Sequence, residues 1–395
     1  MNATPPGDSG GPGPWRGAFS ALCALLVGIG LARFAYTPLL PALVSAEWFN
    51  VSQAAYLGAA NLAGYLIGAV LARQLAARTS TTFALRAFML LASAAFFACA
   101  QPWSFAWFFL WRLAAGISGG VLMVLAAPTV LPRIPRHRQG LAGGLILTGV
   151  ALGIALSGTL VPFTLGWGVR ETWLILGGLA VVLTALSWNG WPTVAPVKSD
   201  MRQPGPVLAL KSLYLEYGLN AVGLVSHMVF WVIFIAQGLG LGLAVGAFHW
   251  VLFGIGAVLG PVTAGYLADR LGFLATLRAG YLLQAAAAGI LVFTDHMAVL
   301  VISSLIMGAF VPVCTTLVLG RLRELIPNDP DGQTAGWRWA TIGFAGGQAV
   351  GAYGLSYLFD LYGEYRLLFA VGAAALVLAL MLNILAGRKS SKENP

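Results

Sequence analysis

Hydrophobic positions along the chain fall into long, nearly unbroken runs, and not into the strict alternation of a half-buried strand or the single stripe of a surface helix. Twelve such runs, bounded by charges, proline or glycine, lie near residues 17–44, 52–76, 81–100, 104–130, 140–165, 170–190, 212–238, 243–268, 276–294, 297–322, 334–359 and 364–387. A helix that crosses the hydrocarbon of a bilayer needs about 20 mostly apolar residues. The pattern therefore predicts an all-α membrane protein of twelve transmembrane helices. One interruption stands out, residues 191–211 (WPTVAPVKSDMRQPGPVLALK), with four prolines, two lysines and one arginine. It reads as a polar linker between two pseudo-symmetric six-helix bundles, 15–190 and 212–387. The opening residues 1–14 are too rich in proline and glycine to fold, and residues 388–395 form a short polar tail. The first run is longer than the 7–15-residue apolar region of a signal peptide and has no small-residue cleavage site, so it is expected to be a retained helix.

Composition supports that pattern. Of 395 residues, 59% are hydrophobic and only 9% charged, against about a quarter charged in a soluble globular domain. An ordinary soluble enzyme, a disordered chain and a fibrous protein are excluded. The net charge of +9 does not mark a nucleic-acid binder, because the bases sit in twos and threes between apolar runs and not on one face. With the N-terminus placed in the cytoplasm, cytoplasmic segments hold 17 of the 22 Lys and Arg residues and external loops hold two, Arg170 and Arg366. That bias puts both termini inside, and it suits a multi-pass protein of the bacterial inner membrane.

Little in the chain suggests cofactor or metal chemistry. Cys23, Cys99 and Cys314 lie inside apolar runs without metal-ligand spacing, and His137, His227, His249 and His296 are too scattered in sequence for a metal site. Gly254, Gly256 and Gly260 imitate a dinucleotide fingerprint, but they lie within a continuous apolar run and not between a strand and a helix. No phosphate loop is present. The chain is expected not to be an enzyme, to need no cofactor, and to work as a monomer in the lipid bilayer on a small-molecule substrate.

Three short segments carry a family resemblance. Gly265-Tyr266-Leu267-Ala268-Asp269-Arg270-Leu271-Gly272, between the eighth and ninth runs, resembles the G-x-L-A-D-R-x-G signature of the major facilitator superfamily. The equivalent first-half loop keeps Gly68 and Arg73 but has Ala72 where the aspartate belongs. Arg112-x-x-x-Gly116 resembles the superfamily's R-x-x-x-G pattern. The first run, from Gly28 and Gly30 through Arg33, Phe34, Tyr36, Thr37 and Pro38 to Pro41, is similar to the opening of the YbfB/YjiJ-type branch. The resemblance implies transport by alternating access between two six-helix halves. It also implies a cytoplasmic gate latch at Asp269 and Arg270, framed by Gly265 and Gly272, and a gating or proton-coupling role for Arg112.

Ionisable groups within the runs are the functional pointers, since a charge at mid-membrane is costly and faces a cavity or a partner. Arg33 lies deep in the first run. It either meets an anionic group of the substrate or bonds helix-end carbonyls near Pro38 and Pro41. Arg112 is a further substrate-contact candidate, whereas Arg338, between Trp337 and Trp339, reads as an interfacial anchor. Tyr36, Asn61 and Tyr65 are added as substrate contacts because the superfamily's first two helices border the pathway. Of 13 acids only Glu216 falls within a run away from its first two positions, so the cavity should be net positive and favour an anion. Proton coupling is expected from His227, placed to face Arg33 across the halves, or from His249 or Glu216. Gly149-x-x-x-Gly153, Gly256-x-x-x-Gly260 and Gly343-x-x-x-Gly347-x-x-x-Gly351 are close-packing seams, either static or moving. The expectation is a secondary active transporter of a small organic anion or metabolite, proton-coupled as a symporter or antiporter. The alternative is efflux of amphipathic drugs, favoured by 11% aromatic residues but not by span five, which lacks the antiporter branch's terminal Gly-Pro. A non-transporting membrane sensor is a further alternative, disfavoured because the chain ends soon after its last run.

Overall fold

The computed structural model describes residues 13–135, 138–192, 207–327 and 329–393. Residues 1–12 of the tail read at 1–14 and 193–206 of the linker read at 191–211, together with His137, lie outside the described residues. The architecture is all-α, with no strand among the described residues. Among the described residues, eleven helices are long and apolar enough to cross a membrane. In the first half these are α1 (Trp15–Ser45), α2 (Val51–Arg78), α3 (Thr81–Ala98), α4 (Phe105–Arg133), α5 (Gln139–Leu165) and α6 (Val169–Ser187). In the second they are α7 (Ala209–Gly238), α8 (Leu243–Leu271), α9 (Phe273–Val292), α10 (Met297–Leu325) and α12 (Tyr365–Ala386). The remaining helix, α11 (Pro330–Tyr362), is 33 residues long but more polar, with Gln333, Arg338, Gln348 and a series of glycines. Helix ends fall within about one turn of the expected runs, except that the last helix continues to Glu393, through most of the segment read as a polar tail.

The helices pack by a two-fold plan in which each helix of the first half corresponds to the one six places later. The pairs α2–α4, α1–α5, α1–α6, α3–α4 and α3–α6 are matched by α8–α10, α7–α11, α7–α12, α9–α10 and α9–α12. Between the halves, α2 packs on α11 and α5 on α8, again a symmetric pair, while α1 touches α7 and α8.

Small residues make the tightest of these contacts. A Cβ at Gly116 would collide with the Asn61 carbonyl, and one at Gly120 with the Tyr65 carbonyl, so α4 lies directly on the backbone of α2. The three glycine series serve contacts within a half. Gly149 and Gly153 lie against Leu22 and Gly30 of α1, Gly256 and Gly260 against Leu305 and Ala309 of α10, and Gly343 and Gly347 against Tyr214 and Gly218 of α7. Between the halves, Gly158 meets Val251 and Gly254 meets Ala155. Without a hydrophobic drive between helices in lipid, such close backbone approach supplies the packing energy.

Helix α1 is broken. A helix over Pro14–Leu25 gives way to a π-helical turn at Leu26–Leu31, then to an irregular turn over 32–35, and resumes at Tyr36–Ser45. Gly28 of the π turn packs on Gly119 of α4, and Gly30 on Gly153 of α5. Those glycines of the first-run signature let the widened turn fit between two neighbouring backbones.

Replacing Gly116 by Val should lower stability by about 1–3 kcal/mol through overpacking. Gly346→Ala, where an added Cβ meets nothing within 4 Å, should leave it unchanged. Thermal unfolding of the two purified variants checks the contrast.

Candidate functional site

A narrow cavity lies between the halves, bounded by α1, α2, α4 and α5 on one side and by α7, α10 and α11 on the other. The free space between these walls is tight, about 60 Å³, room for only a few waters, so a larger guest enters by displacing side chains of the wall. Seven of the sixteen lining residues, Met123, Leu147, Val150, Tyr217, Thr315, Trp337 and Thr341, lie in the helix halves nearer the basic loops. On the opposite side the halves are closed on each other. Thr37 Oγ1 of α1 donates to the Met228 carbonyl of α7, Gln237 Nε2 donates to the Pro41 carbonyl at 3.3 Å, and Trp250 Nε1 of α8 donates to Ser157 Oγ of α5 at 2.9 Å. Beyond this seal a wider vestibule of about 550 Å³ opens among Pro41, Ser45, Gly168, Gln237 and Gly242.

Arg33 stands at the inner edge of the seal, in the irregular turn of α1, half-buried. It is the only charged residue among those lining the cavity. No acidic side chain pairs with it among the described residues. Its guanidinium lies 5.2 Å and 5.4 Å from the ring centroids of Phe34 and Tyr65, and its Nη2 is 3.6 Å from Met228 Sδ. Its Nε is buried without a partner. Of the other expected substrate contacts, Tyr65 shares the cavity wall.

Tyr36, Asn61 and Arg112 form a separate group behind that wall. Arg112 is 2% exposed. It donates through Nη1 to the Ala32 carbonyl at 2.7 Å, and its guanidinium lies 4.1 Å from the centroid of the Tyr36 ring. Tyr36 donates to the Ala54 carbonyl at 2.8 Å and Asn61 to the Arg112 carbonyl at 3.2 Å. The helix-end carbonyl is thus met by Arg112, not Arg33. Backbone freed within a membrane must find protein partners, and here Arg112 is such a partner, joining α1, α2 and α4.

The expected proton groups lie off the cavity wall. His227 does not face Arg33; the next residue, Met228, does. Ser303 Oγ donates to the Ala287 carbonyl at 2.9 Å, so the 2.9 Å contact with His227 is assigned as Nε2–H donating to Ser303. The other ring nitrogen is 3.3 Å from Ser226 Oγ, which also lies 3.2 Å from the Gly223 carbonyl. His249 Nδ1 contacts Ser304 Oγ at 3.1 Å, and that oxygen also accepts from Trp231 Nε1 at 3.0 Å. Glu216, 2% exposed, accepts from Ser212 at 2.8 Å and from Asn383 of α12 at 2.7 Å. Asn383 Oδ1 in turn accepts from Arg278 Nε of α9 at 2.9 Å.

At the loop signature, Gly272 has φ +81° and ends α8, its N–H bonding the Ala268 carbonyl at 2.9 Å. An L side chain is strained there, which accounts for that glycine; Gly265 faces open space. Asp269 and Arg270 are exposed, Arg270 lying 4.2 Å from the Tyr266 ring centroid, and Asp269 has no ion pair among the described residues.

Sequence reading missed Met228 and Gln348, as well as Trp337, expected to anchor at the interface with Trp339. Trp337 lines the cavity, while Trp339 is exposed. Gln348, an amide inside an apolar run like Asn220 and Gln284, carried a readable signal. Asn220 and Gln284 bond one another at 2.9 Å away from the cavity.

Two pseudo-symmetric six-helix sets around one central cavity define a membrane transporter of the major facilitator type. A solved structure described as an auto-inhibited POT family peptide transporter shares the fold, with a TM-score of 0.70 over 94% of this chain and 96% of that one, at 13% identity. The chain belongs to the family described as "Uncharacterised MFS-type transporter YbfB", whose model matches residues 25–384. A "Chloramphenicol resistance protein" of Streptomyces lividans is 27% identical over 265 residues, 63% of this chain; the chain spans 65% of that relative's length.

The two arginines should separate in stability. Arg112→Leu removes the donor to the Ala32 carbonyl and should cost on the order of 1–3 kcal/mol. Arg33→Leu removes a cation without an acid partner and should leave the unfolding temperature unchanged or raised. Thermal scans of both variants are the check.

Proposed function

We propose that this transporter moves a small organic anion across the bacterial inner membrane by alternating access, with both termini cytoplasmic and with a proton as the coupling ion. One observation carries the reading: among the described residues, Arg33 is the sole charge on the cavity wall and has no acidic partner. A guanidinium at membrane depth is costly, and a carboxylate arriving with the substrate answers it with paired, charge-assisted hydrogen bonds. The cavity lies between two halves that can rock about a central site. Its position toward the basic loops, with the seal opposite, fits a cytoplasm-facing state in which the latch at Asp269 and Arg270 is released.

His227 is the proton group this reading favours, ahead of His249 and Glu216. The Ser226 hydroxyl lies within reach of both Nδ1 and the Gly223 carbonyl. It can therefore donate to the neutral ring, or turn to the carbonyl and accept from the protonated one. Met228, the next residue, carries any shift of α7 to Arg33.

Efflux of amphipathic compounds is the second reading. It is favoured by the relative described as a chloramphenicol resistance protein and by the aromatic wall of Phe34, Tyr65, Tyr217, Trp337 and Phe344.

In proteoliposomes, Arg33→Ala should reduce counterflow of organic anions at least about tenfold. Undiminished anion flux, together with drug susceptibility that rises on deletion of the gene, would favour efflux instead. His227→Ala should flatten the dependence of flux on pH; an unaltered profile removes His227 from the coupling.

A further inference from the structure

Two hydrogen-bond donors, one from each half, converge on a single poor acceptor. Arg33 Nη2 of α1 is 3.6 Å from Met228 Sδ, and Gln348 Nε2 of α11 is 3.7 Å from the same sulfur. A thioether is a weak acceptor, so neither donor is well satisfied. Other atoms of the same groups have no partner at all: Arg33 Nε and Gln348 Oε1 are both buried and unbonded, and Gln348 is 0% exposed. Native interiors rarely leave such groups orphaned, and each instance calls for an explanation. Here both groups border the same cavity.

The arrangement specifies what would complete it. Two donors separated by the width of one sulfur suit the two oxygens of a carboxylate. Gln348 Oε1, still free, suits an O–H or N–H beside that carboxylate. One cation on the wall matches a single negative charge, which argues against a phosphate ester. The remainder of the site is aromatic: Phe34 and Tyr65 flank Arg33, and Tyr217 stands 4.4 Å from Phe344, centroid to centroid, on the other wall. Rings in such walls favour a flat aromatic guest by stacked and edge-to-face contacts.

We infer that the cavity takes an aromatic monocarboxylate, whose carboxylate displaces the Met228 thioether from between Arg33 and Gln348. This rests on the organic-anion reading of Arg33 and narrows it to a substrate class. The same geometry gives binding a mechanical meaning. Arg33 belongs to the first half and Gln348 to the second, so the bound carboxylate ties the two together. It also takes over both donors held by a residue whose own carbonyl accepts from Thr37 in the seal.

The test is equilibrium binding to the purified full chain in detergent at neutral pH, read by calorimetry and by the fluorescence of the wall tryptophan. Benzoate, cyclohexanecarboxylate and benzamide are compared. Benzoate should bind at least about tenfold tighter than either of the others. Arg33→Gln and Gln348→Glu should each weaken benzoate by about tenfold or more, the latter by placing a carboxylate beside the guest's own. Met228→Leu removes the competing acceptor and should tighten benzoate by about threefold. If cyclohexanecarboxylate binds as well as benzoate, the aromatic class is overturned while the organic-anion reading stands. If benzamide binds as well as benzoate, or Arg33→Gln changes nothing, both fall. Weaker benzoate binding by a correctly folded Met228→Leu overturns the displacement. Should any variant fail to fold, the three-ligand series on the unaltered chain still decides, and no benzoate binding there overturns the inference.

Discussion

A helix that widens in mid-membrane must still satisfy its backbone within the protein, and the organisation of this protein follows from how that demand is met in α1. Through residues 32–35 the N–H groups bond carbonyls four or five residues back, as from Ala32 to Val27 and from Arg33 to Ile29. Arg112 reaches across from α4 to the Ala32 carbonyl, Asn61 ties the Arg112 carbonyl to α2, and the glycines at 28 and 30 let the widened turn lie against the α4 and α5 backbones. One arginine is thereby committed to holding the fold. The other, in the turn itself, is left facing the space between the halves. Two cations with the same sequence signature, each buried in an apolar run, acquire opposite duties because one meets a carbonyl and the other a thioether.

The same economy recurs in the rest of the core. Glycines bring α2 onto α4 and α8 onto α10, α1 onto α5 and α7 onto α11, so each half is stitched internally by backbone contact. Between the halves the contacts are fewer in kind: hydroxyl and amide bonds from Thr37 and Gln237, one indole bond from Trp250, and the small-residue meeting of Gly158 and Gly254 with α8 and α5. Hydrogen bonds inside membranes are individually modest. The halves nonetheless meet along two extensive seams, α2 on α11 and α5 on α8, and two such seams around a central cavity suit rocking of one half on the other.

Much of this was legible in the sequence because the bilayer imposes a strong length rule. Every span followed from runs of about 20 apolar residues, and Arg33 was singled out by the cost of a charge at depth. What could not be read was direction. Tyr36, Asn61 and Tyr65 lie on the first two helices, but only Tyr65 turns toward the cavity, because helical phase relative to a broken neighbour is not written in the local pattern. Trp337 and Trp339 look alike in sequence, yet two positions along a helix point to different sides. Met228 was invisible for another reason: a methionine in an apolar run carries no signal until a donor is placed beside it.

The polarity of α11 has a consequence for how the chain is made. A helix with Arg338, Gln348 and several glycines partitions weakly into lipid by itself, since insertion is decided segment by segment on summed hydrophobicity. Its contacts with α7 and α2 supply what its own side chains do not. During biogenesis this segment must therefore wait at the translocon, or enter as a companion of helices already in place, so the last major wall of the cavity to be synthesised is also the one whose residence in the membrane depends on the others.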